Sequence, residues 1–234
     1  MAQELDKKTQ VSPKKGRVLV ADDHPIVRDG LVQLINQQAD LICCAEAATQ
    51  AEVFAAVTSH KPDLLVLDLR LRDGDGLELI KSLKSQHPDL PVLVLSQFDE
   101  ELYAERALRA GALGYVMKEQ ASNEVVDAMR MVLKGKIYVT PEMTARLLQK
   151  AITSRPATTA PTSENLTDRE LQVLQFLGSG LSTREIAEKV RLSVKTVETY
   201  REHLKHKLNL RNSEELIYYA RSWVEKNMGT PRLD

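Results

Sequence analysis

The chain has little that would tie it to a membrane, to an oxidising compartment or, as a whole, to a polyanion. No apolar run approaches the roughly 20 residues of a membrane-spanning helix, so no membrane partner is expected. Cysteine is nearly absent. Cys43 and Cys44 are adjacent in a strand-like apolar run, where neighbours rarely bridge each other, and no metal-ligand spacing exists. A reduced, cytoplasmic setting is expected. Charge of one sign is not in excess either: 32 Lys and Arg stand against 33 Asp and Glu, net −1, so any basic patch must be local. Met1 to Gly16 is polar and lacks the apolar segment of a secretory signal, which predicts a short disordered extension over 1–16.

What is present is alternation. With 234 residues there is room for two ordinary domains. Short apolar runs occur at Val18–Ala21, Leu41–Ala45, Leu64–Leu67, Val92–Leu95 and Gly114–Met117. Between them lie helix-length segments with apolar residues at helical spacing, for example Ile26, Val27, Leu31, Leu34 and Ile35. Breakers such as Lys61–Pro62–Asp63 and His87–Pro88 precede the next runs. Strict βα alternation over 17–134 predicts an α/β domain with a doubly wound, five-stranded parallel sheet.

Thr140–Pro141 is a helix start, with Thr as cap and Pro at the first helical position, opening a helix to about Ile152. Thr153 to Asn165 is rich in Thr, Pro, Ala and Ser, and the span 135–165 reads as a connecting helix and linker. The last segment, 166–227, reads as a small all-α domain of four helices. Thr167, Ser182 and Asn212 each stand three residues before a Glu, a capping-box spacing, and Ser193 caps a fourth helix. A short helix over Thr183–Lys189, a break at Val190–Leu192 and a longer helix over Val194–Leu208 have helix-turn-helix spacing.

Four strand ends carry reactive side chains: Asp22 and Asp23, then Asp68, Ser96 and Lys118. In an open α/β sheet, chemistry collects beyond the carboxyl ends of the strands, and a flavodoxin-like order brings strands one and three together where the order reverses. Three converging carboxylates repel unless a cation is present, and a hard divalent ion with oxygen ligands, Mg²⁺, suits a site that also handles phosphate. Lys118 offers a point charge and Ser96 a hydroxyl, both suited to phosphoryl oxygens. An Asp carboxylate can itself take a phosphoryl group. An aspartyl phosphatase of the haloacid dehalogenase type would need a second Asp where Arg70 stands. A calcium loop would need a Glu near Lys81 and Ser82. Both readings fail.

Asp22–Asp23, Asp68, Ser96 and the run Tyr115–Val116–Met117–Lys118 resemble the receiver domain of two-component response regulators. The resemblance implies a histidine kinase that phosphorylates Asp68, with Lys118 beside it, and Mg²⁺ held by Asp23, Asp68 and the backbone carbonyl of Arg70, with Asp22 acting mostly through water. It implies also that Ser96 and Tyr115 form a switch pair, the hydroxyl turning toward the phosphoryl group and the ring following it inward. In one departure, Leu71–Arg72 stands where the family commonly has Met-Pro.

Leu166 through Leu216, with Gly180–Leu181–Ser182, Glu185–Ile186–Ala187 and Ser193–Val194–Lys195–Thr196–Val197, resembles the LuxR-type helix-turn-helix. Together the two motif sets resemble the NarL/FixJ class of response regulators: transcription regulators rather than dedicated enzymes, binding double-stranded DNA, and homodimeric when phosphorylated. Lys195, Arg201, Lys205, Lys207 and Arg211 against Glu198 and Glu202 leave this segment at net +3, a local basic patch. In the family, the positions of Glu198, Thr199 and Glu202 face base edges, while Lys195, Thr196, Tyr200 and Arg201 lie near the backbone; Lys205 is expected to reach phosphate as well. Acidic residues at two base-facing positions can accept from cytosine N4 but repel phosphates. The competing reading is a signalling adaptor whose C-terminal domain binds protein instead of DNA.

Overall fold

The computed structural model describes residues 15–72, 74–97, 100–120, 122–153, 166–190 and 192–228. Of the expected N-terminal extension only Lys15 and Gly16 are described, and Gly16 opens the first strand; the expected linker after Thr153 lies outside the described residues.

The strands are β1 (Gly16–Ala21), β2 (Leu41–Ala47), β3 (Leu64–Leu67), β4 (Arg70–Leu71), β5 (Gly74–Asp75), β6 (Val92–Ser96) and β7 (Gly114–Met117). The helices among them are α1 (Pro25–Asn36), α2 (Gln50–His60), α3 (Gly76–Gln86), α4 (Glu100–Ala110) and α5 (Ser122–Leu133). Five strands form one parallel sheet in the order β2-β1-β3-β6-β7, the flavodoxin-like order expected from the alternation. Successive strand residues point to opposite faces, so each strand feeds two cores. Val18, Val20, Leu64, Val66, Leu93 and Leu95 meet α1 and α5 on one face. Leu19, Ala21, Leu65, Leu67, Val92 and Val94 meet α2, α3 and α4 on the other.

Two features depart from the pattern reading. The Gly/Asp-rich loop after Asp68 is a two-residue antiparallel hairpin, with Arg70 paired to Asp75 and Leu71 to Gly74. Gly76 closes it, because a Cβ there would stand 2.5 Å from the Leu69 Cα. The packing of the α/β domain also runs past Lys134. Tyr138 bridges to Gly114 and exchanges backbone hydrogen bonds with Leu113 and Tyr115, extending the sheet beyond β7.

The connecting helix α6 (Pro141–Thr153) starts at Thr140, whose Oγ1 accepts from the Met143 amide and donates to Glu100 of α4 at 2.6 Å. The helical domain comprises α7 (Asp168–Gly178), α8 (Thr183–Val190), α9 (Val194–Lys207) and α10 (Ser213–Met228). All four starts are capped as the sequence predicts. Thr167 and Glu170 form a reciprocal capping box, as do Ser182 and Glu185; Ser193 Oγ accepts from the Thr196 amide and Asn212 Oδ1 from the Glu215 amide. Gly178 lets α7 and α10 touch, since a Cβ there would lie 2.3 Å from the Ala220 carbonyl oxygen.

The two domains meet. Tyr103 of α4 donates from its hydroxyl to Gln175 Oε1 of α7 at 3.0 Å in a buried position. Arg106 donates to the Leu166 carbonyl at 2.9 Å, and Arg169 Nε stands 3.8 Å from Asp75 Oδ2. Apolar residues of both domains, Ala107 and Met143 with Leu166 and Leu171, belong to one continuous buried cluster.

Candidate phosphoacceptor site and DNA-reading helix

Asp22 and Asp23 follow the last residue of β1, Asp68 follows β3, Ser96 ends β6 and Lys118 follows β7, so four adjacent strand ends supply the site. Lys118 is its hub. Its Nζ lies 2.6 Å from Asp22 Oδ2 and 2.7 Å from Asp68 Oδ2, and both carboxylates are buried. The remaining Asp68 oxygen, Oδ1, accepts from the Arg70 amide at 3.2 Å. Burial pushes the Asp68 carboxyl up to about 6, although the Lys118 charge pulls the other way. Burial works against the Lys118 cation too, but the two carboxylates outweigh it and hold the ammonium above its ordinary value.

Asp23 is half-buried and differently placed. Its Oδ1 is a buried atom without a hydrogen bond, although His24 Nδ1 stands 2.7 Å away. Ligand atoms of Asp22, Asp23, His24 and Asp68 all lie within 4.8 Å of one another. An oxygen-rich donor set with one buried oxygen unsatisfied fits a hard divalent cation. His24 was not singled out from the sequence, although the run Asp22–Asp23–His24 carries the signal.

Ser96 and Tyr115 are both fully buried, one strand apart. The Lys118 amide donates to the Ser96 carbonyl at 2.8 Å, which ties the strand end bearing the lysine to the one bearing the serine.

The expected DNA-reading residues divide between two environments. Lys195, Glu198, Thr199 and Glu202 are exposed and follow helical spacing along one face of α9. Thr196 is half-buried and its hydroxyl shares a hydrogen bond with Ser193. Tyr200 packs against the apolar core, and Arg201 hydrogen-bonds to Thr183 at the start of α8. Lys205 is half-buried and paired with Glu202 at 2.9 Å. The domain contact through α7 thus leaves the Lys195–Glu202 face of α9 uncovered.

A family profile described as "Response regulator receiver domain" matches residues 18–130, and one described as "Bacterial regulatory proteins, luxR family" matches residues 164–220. The oxygen regulatory protein NreC of Staphylococcus carnosus strain TM300 is 35% identical over 208 residues, covering 87% of this chain and 96% of that protein. NreC of Staphylococcus aureus strain MRSA252 is 36% identical with the same coverage. Among solved structures, the RcsB response regulator of Salmonella typhimurium superposes with a TM-score of 0.64 at 28% identity, covering 89% of this chain and 98% of that one. RcsB from Salmonella enterica serovar Typhimurium, bound to promoter P1flhDC in the presence of the phosphomimetic BeF3-, gives 0.63 at 26% identity, covering 89% and 100%. A receiver sheet with a carboxylate cluster at its strand ends, followed by a capped helix-turn-helix, places the chain in the NarL/FixJ class of response regulators: it belongs to this family of DNA-binding transcription regulators and is not a dedicated enzyme.

Proposed function

We propose that Asp68 is the phosphoacceptor of this regulator, that a histidine kinase is the donor, and that Mg²⁺ is the ion of the acidic cluster. The observation that carries this reading is the buried Asp68 carboxylate gripped by Lys118 beside an unsatisfied Asp23 oxygen. In the transfer, the P–N bond of a phosphohistidine breaks and a P–O bond forms to an Asp68 carboxylate oxygen. Asp23, Asp68 and the Arg70 carbonyl would hold the ion, with Asp22 behind them. A bound ion would supply positive charge to offset that of the phosphoryl oxygens.

The chain's own residues do the rest. Lys118 swings between carboxylate and phosphoryl oxygens as a point charge. Ser96 donates a hydroxyl hydrogen bond to the phosphoryl group, and Tyr115 repacks with it. The phosphoryl group adds nearly two negative charges at the strand ends. It favours loop arrangements that satisfy those charges, so it shifts a pre-existing equilibrium between a closed form, in which α4 holds α7, and an open form. The open, phosphorylated form works in the cytoplasm as a homodimer on two DNA half-sites. Residues 17–134 act as the receiver and 166–227 as the output domain. In that output domain Glu198, Thr199 and Glu202 read the groove, while Lys195, Thr196, Tyr200, Arg201 and Lys205 serve the backbone side.

The test is labelling by a small-molecule phosphoryl donor followed by intact-mass measurement. A single phosphoryl adduct is expected with Mg²⁺, none in excess chelator, and none in Asp68→Asn. Equal labelling of Asp68→Asn would overturn the assignment.

A further inference from the structure

The contact between the domains encloses a polar cleft of about 210 Å³ beside the acidic site. Arg70 and Arg72 of the β4–β5 hairpin line one side, and Arg169 of α7 and Lys189 of α8 line the other. Nothing in the phosphoacceptor chemistry or in DNA reading uses these four side chains. Their charge is only partly answered. Arg169 has Asp75 at 3.8 Å, Arg72 donates to the Asp23 backbone carbonyl at 3.4 Å, and Lys189 sits 5.9 Å over the Phe176 ring. Among the described residues lining the cleft, the one carboxylate is Asp23, a member of the acidic cluster.

Like charges brought together across a contact oppose it. Here two cations of each domain face one cleft, in an interface that the Tyr103–Gln175 and Arg106–Leu166 hydrogen bonds nevertheless hold shut. An anion seated between them would turn that opposition into attraction from both sides. Arginine forks and a lysine are the donors that polyvalent oxyanions take. The volume is below the about 300 Å³ at which drug-sized pockets begin, which suits a compact polyanion and excludes a whole nucleotide.

We infer that this interdomain cleft binds a compact polyphosphate-type anion of pyrophosphate size, clamped between the β4–β5 hairpin of the receiver and helices α7 and α8 of the output domain. Because both halves contribute, the anion binds the closed form alone and stabilises it. By linkage, whatever opens the domains expels the anion, and the anion in turn opposes opening.

The inference stands apart from phosphorylation, and so does its test. Pyrophosphate is titrated calorimetrically into the full chain in excess chelator, where the acidic cluster holds no Mg²⁺ and no phosphoryl transfer occurs. Saturable binding is expected. It should weaken about tenfold in Arg72→Gln and about tenfold in Lys189→Gln, each removing one charge-assisted contact from a different domain. Both side chains are exposed, so the fold should survive, as unchanged thermal melts would verify. Three results would overturn the assignment. Absence of saturable binding removes the site. Loss in Arg72→Gln alone returns the anion to the receiver's own loop. Loss in Lys195→Gln instead, with both cleft variants unaffected, moves the anion to the DNA-reading face.

Discussion

Tyr103 and Gln175 share a buried hydrogen bond of 3.0 Å across the two domains, and the other end of the same amide, Gln175 Nε2, is buried without a partner. The closed form thus contains both a specific link and a built-in cost. An unsatisfied buried donor costs on the order of 1–3 kcal/mol, enough to keep the contact poised for release.

Removing the link should open the regulator without phosphorylation. Tyr103→Phe keeps the ring but leaves both polar atoms of the Gln175 amide unpaired, costing the closed form roughly 1–3 kcal/mol. The α9 face is already uncovered, so the gain comes through dimerisation of the open form: affinity of the unphosphorylated chain for operator DNA should rise about 5- to 100-fold, as 1.4 kcal/mol is a factor of ten. A fluorescence titration with operator duplex checks this. An affinity equal to wild type would mean that the contact does not restrain DNA binding.

Lys118 should prove more important to the folded receiver than a lone surface lysine. Lys118→Met retains the stem but strands two buried carboxylates, and breaking such a buried arrangement costs about 3–5 kcal/mol. Magnesium should return part of that loss by replacing the missing positive charge. Urea unfolding of the variant with and without Mg²⁺ measures both effects. A variant as stable as wild type in chelator would show that Asp22 and Asp68 do not depend on Lys118.

Asp68 gives the metal-free protein a pH dependence of definite sign. Its carboxyl titrates near 6 when folded, above the ordinary carboxylate range, so between those values the folded chain holds more protons than the unfolded chain. Stability should therefore fall as pH rises through that window, by on the order of 2–3 kcal/mol. The comparison is wild type minus Asp68→Asn, by urea unfolding in chelator at both ends of the window. A difference that stays constant or grows with pH would contradict the burial assigned to Asp68.

On DNA, the exposed face of α9 separates reading from holding. Lys195→Ala should flatten the slope of log K against log salt by about one, the signature of one lost phosphate contact. Glu198→Ala should leave scrambled-duplex binding unchanged or tighter, and lose about 1–3 kcal/mol of discrimination at one base pair. A smaller effect is expected from Lys205→Ala, because Lys205 is already paired with Glu202 and half-buried. If Glu198→Ala weakens operator and scrambled duplex equally, Glu198 supports the helix and does not read sequence.

Much of this was legible in the chain because it is written locally. Apolar runs of strand length with Asp, Ser or Lys at their ends located the sheet and its acidic site, and the spacing from Thr167 to Glu170 or Ser182 to Glu185 marked helix starts within a residue. The β4–β5 hairpin was not legible, because two-residue strands leave no periodicity. Nor was the Tyr103–Gln175 link, since residues 72 apart in sequence meet only through the packing of two domains. The ties of Arg201 to Thr183 and Lys205 to Glu202 were missed for a simpler reason: a cation on a helix looks the same in sequence whether it faces solvent or its own domain.

The local capping of α7 to α10 bears on the order in which the molecule assembles. Each of these helices carries its own start signal, and contacts close in sequence form quickly, whereas the parallel pairs β1–β2 and β6–β7 must each wait for a crossover helix. On the ribosome the slow sheet emerges first and the fast bundle last. The bundle therefore docks onto a receiver that is already built, and Tyr103 and Gln175 are joined only at the end of folding.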